Sequence, residues 1–131
     1  MTSTQSTAST VSFWINGEHA PAAGSRHGTV TNPATGAVIR TVPFADDTDV
    51  DAAVESARAA FPAWRATTPL RRARILMRFR DLLERRTDDV AAAITEEHGK
   101  TLPDATGSVQ RGLEVVEFAT GIPHLLKGEH A

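Results

Sequence analysis

Cysteine is absent from this chain of 131 residues, and its absence excludes several kinds of chemistry. Without a thiol the chain can form no disulfide, no Cys-containing zinc site and no thiolate nucleophile of its own. Aromatic residues are few, with five Phe, two Trp and no Tyr, so aliphatic side chains must supply most of the core. The formal net charge of -2 at pH 7 gives no general attraction to nucleic acid or to an anionic membrane.

Long apolar runs and targeting signals are also lacking. No apolar stretch approaches the roughly 20 residues that a membrane-spanning helix needs. Residues 1–11 are rich in Ser and Thr and contain no Lys or Arg, unlike a secretory signal or a mitochondrial transit peptide. We therefore predict a disordered tail over residues 1–11 of a cytoplasmic protein, followed by one domain over residues 12–131.

Short strands are predicted in the first part of the chain. An apolar segment at residues 13–15 precedes Asn16-Gly17, a dipeptide typical of a two-residue β-hairpin turn. Further extended segments are expected at residues 28–31 and 37–42, on either side of an Asn-Pro turn.

A helical pattern begins after about residue 45. Apolar residues recur there at helical spacing, at Val50, Val54, Ala57, Phe61 and Trp64. Thr48 with Asp51 resembles a capping box at the start of this helix, and Pro62 is expected to end its regular part.

Three more helices are predicted. Thr68-Pro69 is a start signal for a helix that reaches about residue 86. Thr87 is expected to cap the next helix, which ends at Gly99. A fourth helix should cover about residues 101–120, and Gly121 and Pro123 are expected to stop it. The predicted fold class is therefore α/β, with an N-terminal β-hairpin and strands followed by about four helices.

Two motifs that suggest ligand binding fail on spacing. Gly99-Lys100-Thr101 resembles the end of a phosphate-binding loop, but Ile94 stands where that loop needs its first glycine. No two histidines have the i, i+4 spacing of a helical zinc site; they are His19, His27, His98, His124 and His130. We predict a helix C-cap at Gly99 and no metal site.

Seven arginines lie within residues 71–86. Such a stretch can form a nucleic-acid-binding face, but Asp81 and Glu84 interrupt it and the chain is net acidic. The pattern favours a solvated helix face, with a subunit interface as the alternative, and no nucleic-acid partner.

Arg111 is the one residue whose setting suggests a binding role. In a helix it shares one face with Gly107, Glu114 and Phe118. It could form an ion pair with Glu114 on the surface. It could equally hold the carboxylate of a ligand through two parallel N–H bonds of its planar guanidinium. Glycines at 107 and 112 would then permit close approach of the ligand or of another backbone.

Seven segments resemble the aldehyde dehydrogenase superfamily and together span about residues 13–129. They are Trp14-Ile15-Asn16-Gly17, Asn32-Pro33-Ala34-Thr35-Gly36, Ala60-Phe61-Pro62-Ala63-Trp64, Arg71-Arg72-Ala73-Arg74-Ile75-Leu76, Glu97-His98-Gly99-Lys100-Thr101, Gln110-Arg111-Gly112-Leu113-Glu114-Val115-Val116-Glu117-Phe118-Ala119 and Gly121-Ile122-Pro123-His124-Leu125-Leu126-Lys127-Gly128-Glu129. The first three and Gly99-Lys100 are typical of the whole superfamily. The last two resemble its CoA-acylating, methylmalonate-semialdehyde dehydrogenase branch.

The resemblance implies that residues 12–131 are the truncated N-terminal part of a Rossmann-like NAD-binding domain. In that branch a cysteine thiolate attacks methylmalonate or malonate semialdehyde, and the adduct gives hydride to NAD. CoA then attacks the resulting thioester, which gives propionyl-CoA or acetyl-CoA, and the substrate carboxylate is lost as carbon dioxide. The resemblance further implies a small semialdehyde acid as partner, a full-length homo-oligomer, and NAD-binding and CoA-binding segments outside this chain.

One site residue follows from the resemblance. The arginine of the Gln-Arg-Gly segment is implied to contact the substrate carboxylate, and in this sequence it is Arg111. One departure is Ser108, where this branch typically has an acidic residue. No catalytic, cofactor-binding or metal-binding residue is expected within the chain.

Two alternatives stay open beside this interpretation. The chain could belong to another branch, such as a succinate-semialdehyde or betaine-aldehyde enzyme, or it could be a non-catalytic helical interaction fragment. The apolar end at Leu125 and Leu126 suggests a truncated chain. Because the chain has no cysteine, we expect it to be inactive as a dehydrogenase on its own.

Overall fold

Strands precede helices in the computed structural model, which describes residues 9–129. The strands are β1 (Ser9–Thr10), β2 (Phe13–Ile15), β3 (Glu18–Ala20), β4 (His27–Thr31) and β5 (Val38–Pro43). The helices are α1 (Asp47–Ala66), α2 (Pro69–Arg85), α3 (Thr87–His98), α4 (Leu102–Thr120) and α5 (Ile122–Leu125). The chain divides into two units, Met1–Pro62 and Ala63–Ala131. The predicted α/β order of strands and helices is confirmed.

The hairpin in the first unit forms where the sequence predicts it. β2 pairs antiparallel with β3, so Ile15 lies opposite Glu18. Asn16 and Gly17 connect them with φ angles of 56° and 82°. Both values lie in the left-handed region that a type I′ turn requires, and Asn and Gly enter that region most readily.

A second sheet in the same unit has the strand order β1-β5-β4. β4 pairs antiparallel with β5, and β1 pairs parallel with it through Ser9 and Thr10. These two residues were expected to belong to the disordered tail, but the edge of β5 offers them backbone partners. The rest of that tail, residues 1–8, lies outside the described residues.

The capping box of α1 lies two residues earlier than predicted. The backbone N–H of Asp49 donates to Asp46 Oδ1 at 3.0 Å, and the N–H of Asp46 donates to Asp49 Oδ2 at 3.1 Å. This reciprocal pair replaces the predicted pair of Thr48 and Asp51. Asp carboxylates accept these bonds better than a Thr hydroxyl, and they also suit the positive end of the helix dipole.

Pro62 does not end α1, which continues to Ala66. The prediction was wrong because the last turn of α1, which follows Pro62, is stabilised by contacts with Arg72. Arg72 Nη2 donates to the carbonyl oxygens of Trp64 and Arg65 at 2.8 and 3.1 Å. The same guanidinium lies over the Trp64 ring, 5.1 Å from its centroid. These contacts satisfy terminal carbonyls that a helix end otherwise leaves free.

Local signals set most of the other helix ends in the second unit. Thr68 caps α2, and Gly99 ends α3 with a φ of 80°, as predicted. Thr87 does not cap α3: its hydroxyl donates to the carbonyls of Glu84 and Leu83. Only Arg86 separates α2 from α3, so Thr87 already lies inside a helical turn and bonds backwards.

The chain forms a short further helix after α4. Gly121 ends α4 as predicted, and α5 follows at once. Pro123 was expected only to stop the preceding helix. It lies instead in the first turn of α5, where its missing N–H would have had no helical partner anyway.

Small side chains form the core of the second unit. Ala91 and Ala105 are fully buried between α3 and α4, and Val109 packs beside them. On the side of α2, Arg80 Nε and Nη2 donate to Glu117 at 2.8 and 2.7 Å, which ties α2 to α4. Within residues 9–129, no helix is both long enough and apolar enough to cross a membrane.

Candidate functional site

The connection between α3 and α4 places a lysine beside the first turns of α4. Gly99 ends α3, and Thr101 begins α4 by accepting the backbone N–H of Asp104 at 3.4 Å. Lys100 lies between these two caps and is half-buried. The segment is therefore a helix-to-helix connection, which confirms the prediction of a C-cap at Gly99 against a phosphate-binding loop.

Arg111 is exposed near the middle of α4. Its Nη2 donates to Ser108 Oγ at 3.1 Å, one helical turn back. Within the described part of the chain, no ion pair joins Arg111 to Glu114, although the sequence left that pairing open. One hydrogen bond occupies only part of a guanidinium that carries five N–H donors. Arg111 can therefore bind a further acceptor.

Ser108 joins Arg111 to Lys100. Lys100 Nζ donates to Ser108 Oγ at 2.8 Å, and the Ser108 hydroxyl donates to the carbonyl of Asp104 at 3.1 Å. A hydroxyl has one proton and two lone pairs, so these two bonds and the one from Arg111 satisfy it completely. Two cationic side chains thus share one neutral oxygen on the surface of α4.

Two glycines lie near Arg111 in the sequence of α4. A Cβ placed on Gly107 would lie 3.7 Å from Arg111 Nη1, an ordinary contact distance. A Cβ placed on Gly112 would meet nothing within 4 Å. Neither glycine is therefore required by a steric clash, and it is Gly107, one turn back, that lies next to the guanidinium.

The apolar residues that follow Arg111 on α4 are uncovered. Val115 and Phe118 are 67% and 69% exposed, although they lie one and two turns beyond the arginine. Contiguous exposed apolar patches mark contacts with a ligand or another polypeptide, whereas single exposed apolar side chains are ordinary. These two side chains lie one turn apart on the helix that carries Arg111.

The arginines of α2 divide between structural contacts and solvent. Arg72 supports the end of α1, and Arg80 pairs with Glu84 and Glu117. The remainder of the predicted basic face is exposed, namely Arg71, Arg74, Arg78 and Arg85. This arrangement agrees with the solvated face that the sequence favours.

An open groove between α2 and α3 offers little to a polar ligand. It has a volume of about 500 Å³ and is lined by Phe79, Leu82, Leu83, Arg86, Asp89, Val90 and Ala93. Its two charged residues, Arg86 and Asp89, face each other at 3.5 Å. Among residues 9–129, no group of three or more His, Cys, Asp or Glu side chains could hold a metal ion.

Sequence reasoning identified Arg111 but missed its two neighbours as members of one site. Lys100 was considered only as part of a motif that resembles a phosphate-binding loop and of a family segment. Ser108 was considered only as a departure from the family pattern. The helical spacing of Ser108 and Arg111 could have signalled their contact. The contact of Lys100 could not be read in the same way, because Lys100 precedes α4.

A family model described as the aldehyde dehydrogenase family matches residues 20–131 of the chain. A malonate-semialdehyde dehydrogenase of Pseudomonas aeruginosa is 48% identical over 122 residues, which are 93% of this chain and 24% of that protein. A Dictyostelium discoideum protein, named as an acylating, mitochondrial methylmalonate-semialdehyde/malonate-semialdehyde dehydrogenase, is 43% identical over 97% of this chain and 24% of its own length.

The fold has a close match among solved structures. A Sinorhizobium meliloti 1021 protein, named as a methylmalonate-semialdehyde dehydrogenase and complexed with NAD, superposes with a TM-score of 0.89 at 48% identity. The match covers 92% of this chain and 25% of the solved one. The chain thus spans about a quarter of the length of these relatives.

Proposed function

The chain belongs to the aldehyde dehydrogenase family, and from this premise we propose that it is the N-terminal part of an NAD-dependent, CoA-acylating methylmalonate/malonate-semialdehyde dehydrogenase. The names of its relatives support this branch, because they specify malonate or methylmalonate semialdehyde and, for the Dictyostelium protein, acylation. A homo-oligomer remains a prediction for the longer enzyme.

The observation that carries the proposal is the state of Arg111. The guanidinium is exposed and donates one hydrogen bond, to the neutral Ser108. A semialdehyde acid differs from a simple aldehyde by its carboxylate, which an arginine can hold with two parallel hydrogen bonds. Arg111 would therefore bind the acid end of the substrate and orient its aldehyde end.

The chemical step needs groups that this chain does not contain. The thiolate that attacks the aldehyde is a cysteine, and the chain has none. NAD would accept hydride, and the family resemblance implies that the segments binding it, like the cysteine, lie outside this chain. The contribution of this chain is substrate binding, and we expect no turnover from it alone.

A chimera tests the proposal directly. This chain would replace the matching N-terminal quarter of the Pseudomonas aeruginosa malonate-semialdehyde dehydrogenase, and NADH formation would be measured with malonate semialdehyde, CoA and NAD. We expect activity from the chimera and none from the chain alone. Arg111→Gln should raise KM for malonate semialdehyde by about 10- to 100-fold, because a charge-assisted hydrogen bond is lost.

Two controls make this result specific. Propionaldehyde has no carboxylate, so its kcat/KM should stay within about twofold in Arg111→Gln. Arg78→Gln removes an exposed arginine of α2 and should leave both substrates unaffected. An inactive but folded chimera, or an Arg111→Gln chimera with unchanged KM for malonate semialdehyde, would refute the proposal. A higher kcat/KM for succinate semialdehyde would instead assign the chain to another branch.

A further inference from the structure

We propose that Lys100 is a second cationic ligand for the same carboxylate, and that Ser108 holds Lys100 and Arg111 together without neutralising either. This inference rests on the proposed function, because it takes the acid group at Arg111 to be the ligand. It adds two residues from the α3–α4 connection and α4 to a site that would otherwise consist of one arginine.

Lys100 and Arg111 converge on one oxygen atom. Lys100 Nζ and Arg111 Nη2 lie 2.8 and 3.1 Å from the same Ser108 oxygen. The Ser108 proton is directed away from them, towards the carbonyl of Asp104 at 3.1 Å. Both lone pairs of the hydroxyl therefore accept bonds from the two cations, which fixes the ends of two long side chains next to each other. Because both side chains are already held in place, binding a ligand costs less side-chain conformational entropy.

The charges of Lys100 and Arg111 are not neutralised by a carboxylate of the described residues. Within residues 9–129, no ion pair joins Lys100 or Arg111 to a carboxylate. The nearby Asp104 carboxylate accepts a hydrogen bond from the Thr101 hydroxyl at 3.0 Å. Two like charges beside one neutral oxygen repel each other, and a bound anion relieves that repulsion. The acidic residue that the resembled branch typically has at position 108 would pair with both cations, whereas Ser108 leaves them available to a ligand in this sequence.

The free N–H donors of Lys100 and Arg111 indicate the class of ligand. After its bond to Ser108, Lys100 keeps two N–H donors and Arg111 keeps four. A carboxylate has two oxygens, each able to accept from a different cation, and so matches a lysine and an arginine placed side by side. The site therefore fits the acid end of a small molecule.

Malonate is a suitable probe for this site in the chimera. Its binding would be measured by isothermal titration calorimetry, with variants checked first by circular dichroism for unchanged helix content. Lys100→Met should weaken binding by about three- to fivefold, since an exposed ion pair is lost, and added salt should reduce the difference. Lys127→Met removes an exposed lysine beyond α5 and should have no effect.

Position 108 provides the sharper comparison. Ser108→Asp places a carboxylate between the two cations and should weaken malonate binding by at least about tenfold. Ser108→Asn is similar in size but neutral, and we expect its affinity to stay within about twofold of the original. Equal affinities for Ser108→Asp and Ser108→Asn would overturn the charge argument.

The outcomes separate this inference from the function on which it rests. If Arg111→Gln weakens malonate binding but Lys100→Met does not, the second cation is refuted and the role of Arg111 stands. If neither variant changes the affinity, both the inference and the role of Arg111 are refuted. If both variants weaken binding and Ser108→Asn does not, the three-residue site is supported.

Discussion

Asp49 shows how one side chain can stabilise two separate stretches of backbone. Its Oδ1 accepts the N–H of Ala23 at 2.9 Å, and its Oδ2 accepts the N–H of Asp46 at 3.1 Å. It is also the buried acidic residue of α1. These bonds, first that from Ala23 and then that from Asp46, lower the pKa of the Asp49 carboxyl. The carboxylate thus holds a loop against the start of a helix.

The sign of this shift predicts a dependence of stability on pH. A lowered pKa in the folded chain means that the stabilisation by Asp49 is fully present above the ordinary value of 3.8. It is lost as the pH falls below that value, through the lower pKa of the folded state. We expect Asp49→Asn to lower the urea midpoint clearly at pH 7 and much less at pH 3.

Asp51→Asn is a matched control for this prediction. Asp51 is an exposed acid of the same helix, only two residues further on. Its replacement should leave the urea midpoint nearly unchanged at both pH values. An Asp49→Asn variant whose loss of stability were equal at pH 3 and pH 7 would show that the carboxylate charge is not the cause.

At the scale of elements, α3 and α4 approach each other closely because small residues face the contact. Ala91 of α3 and Ala105 of α4 have no exposed surface, and Val109 is 5% exposed. Partly buried residues surround them, namely Leu83, Val90 and Ile94. Since α3 and α4 position Lys100, Ser108 and Arg111, this packing also determines the geometry of the candidate site.

Enlarging one of these alanines should test the contact. Ala91→Leu places extra carbons into a filled contact, and we expect it to destabilise the chain by about 1–3 kcal/mol. Ala92→Leu adds the same atoms at the next, exposed position and should change stability by no more than about 0.5 kcal/mol. Urea unfolding measures both. Equal effects of the two substitutions would contradict the buried position of Ala91.

At the scale of the whole molecule, few large apolar side chains are buried among the described residues. Among the described residues, no large side chain is fully buried, and the buried apolar residues are Ala73, Ala91, Ala105, Val109 and Leu113. Large apolar side chains remain exposed in both units, as Trp14 at 65% and Phe118 at 69% show. Buried apolar area is the main source of folding free energy, so the stability of the isolated chain must be small.

Thermal unfolding of the isolated chain should reflect this shortage. We expect a broad, weakly cooperative loss of the circular dichroism signal, together with binding of a dye that recognises exposed apolar surface. In the active chimera the remaining three quarters of the enzyme would cover part of this surface, and its transition should be sharper. A sharp transition in a monodisperse sample of the chain alone would contradict this expectation.

Local signals in the sequence determined most elements of this protein and several of their ends. Asn16-Gly17 adopts positive φ angles at low cost, Thr68 caps a helix at once, and Gly99 ends one. Each signal acts over a few residues, so the energy that favours it does not depend on distant parts of the chain. The same reasoning placed Arg111 on α4 and suggested that it could bind an acid.

Only the tertiary structure decided which distant groups meet. Asp49 bonds to Ala23, 26 residues away, and Lys100 reaches Ser108 from outside α4. β1 pairs with β5 although its own two residues carry no strand signal. These contacts form because packing brings unsatisfied donors and acceptors together. The periodicity of the sequence does not predict which distant residues will meet in this way. The sequence placed Arg111 on α4, and the fold brought Lys100 and Ser108 next to it.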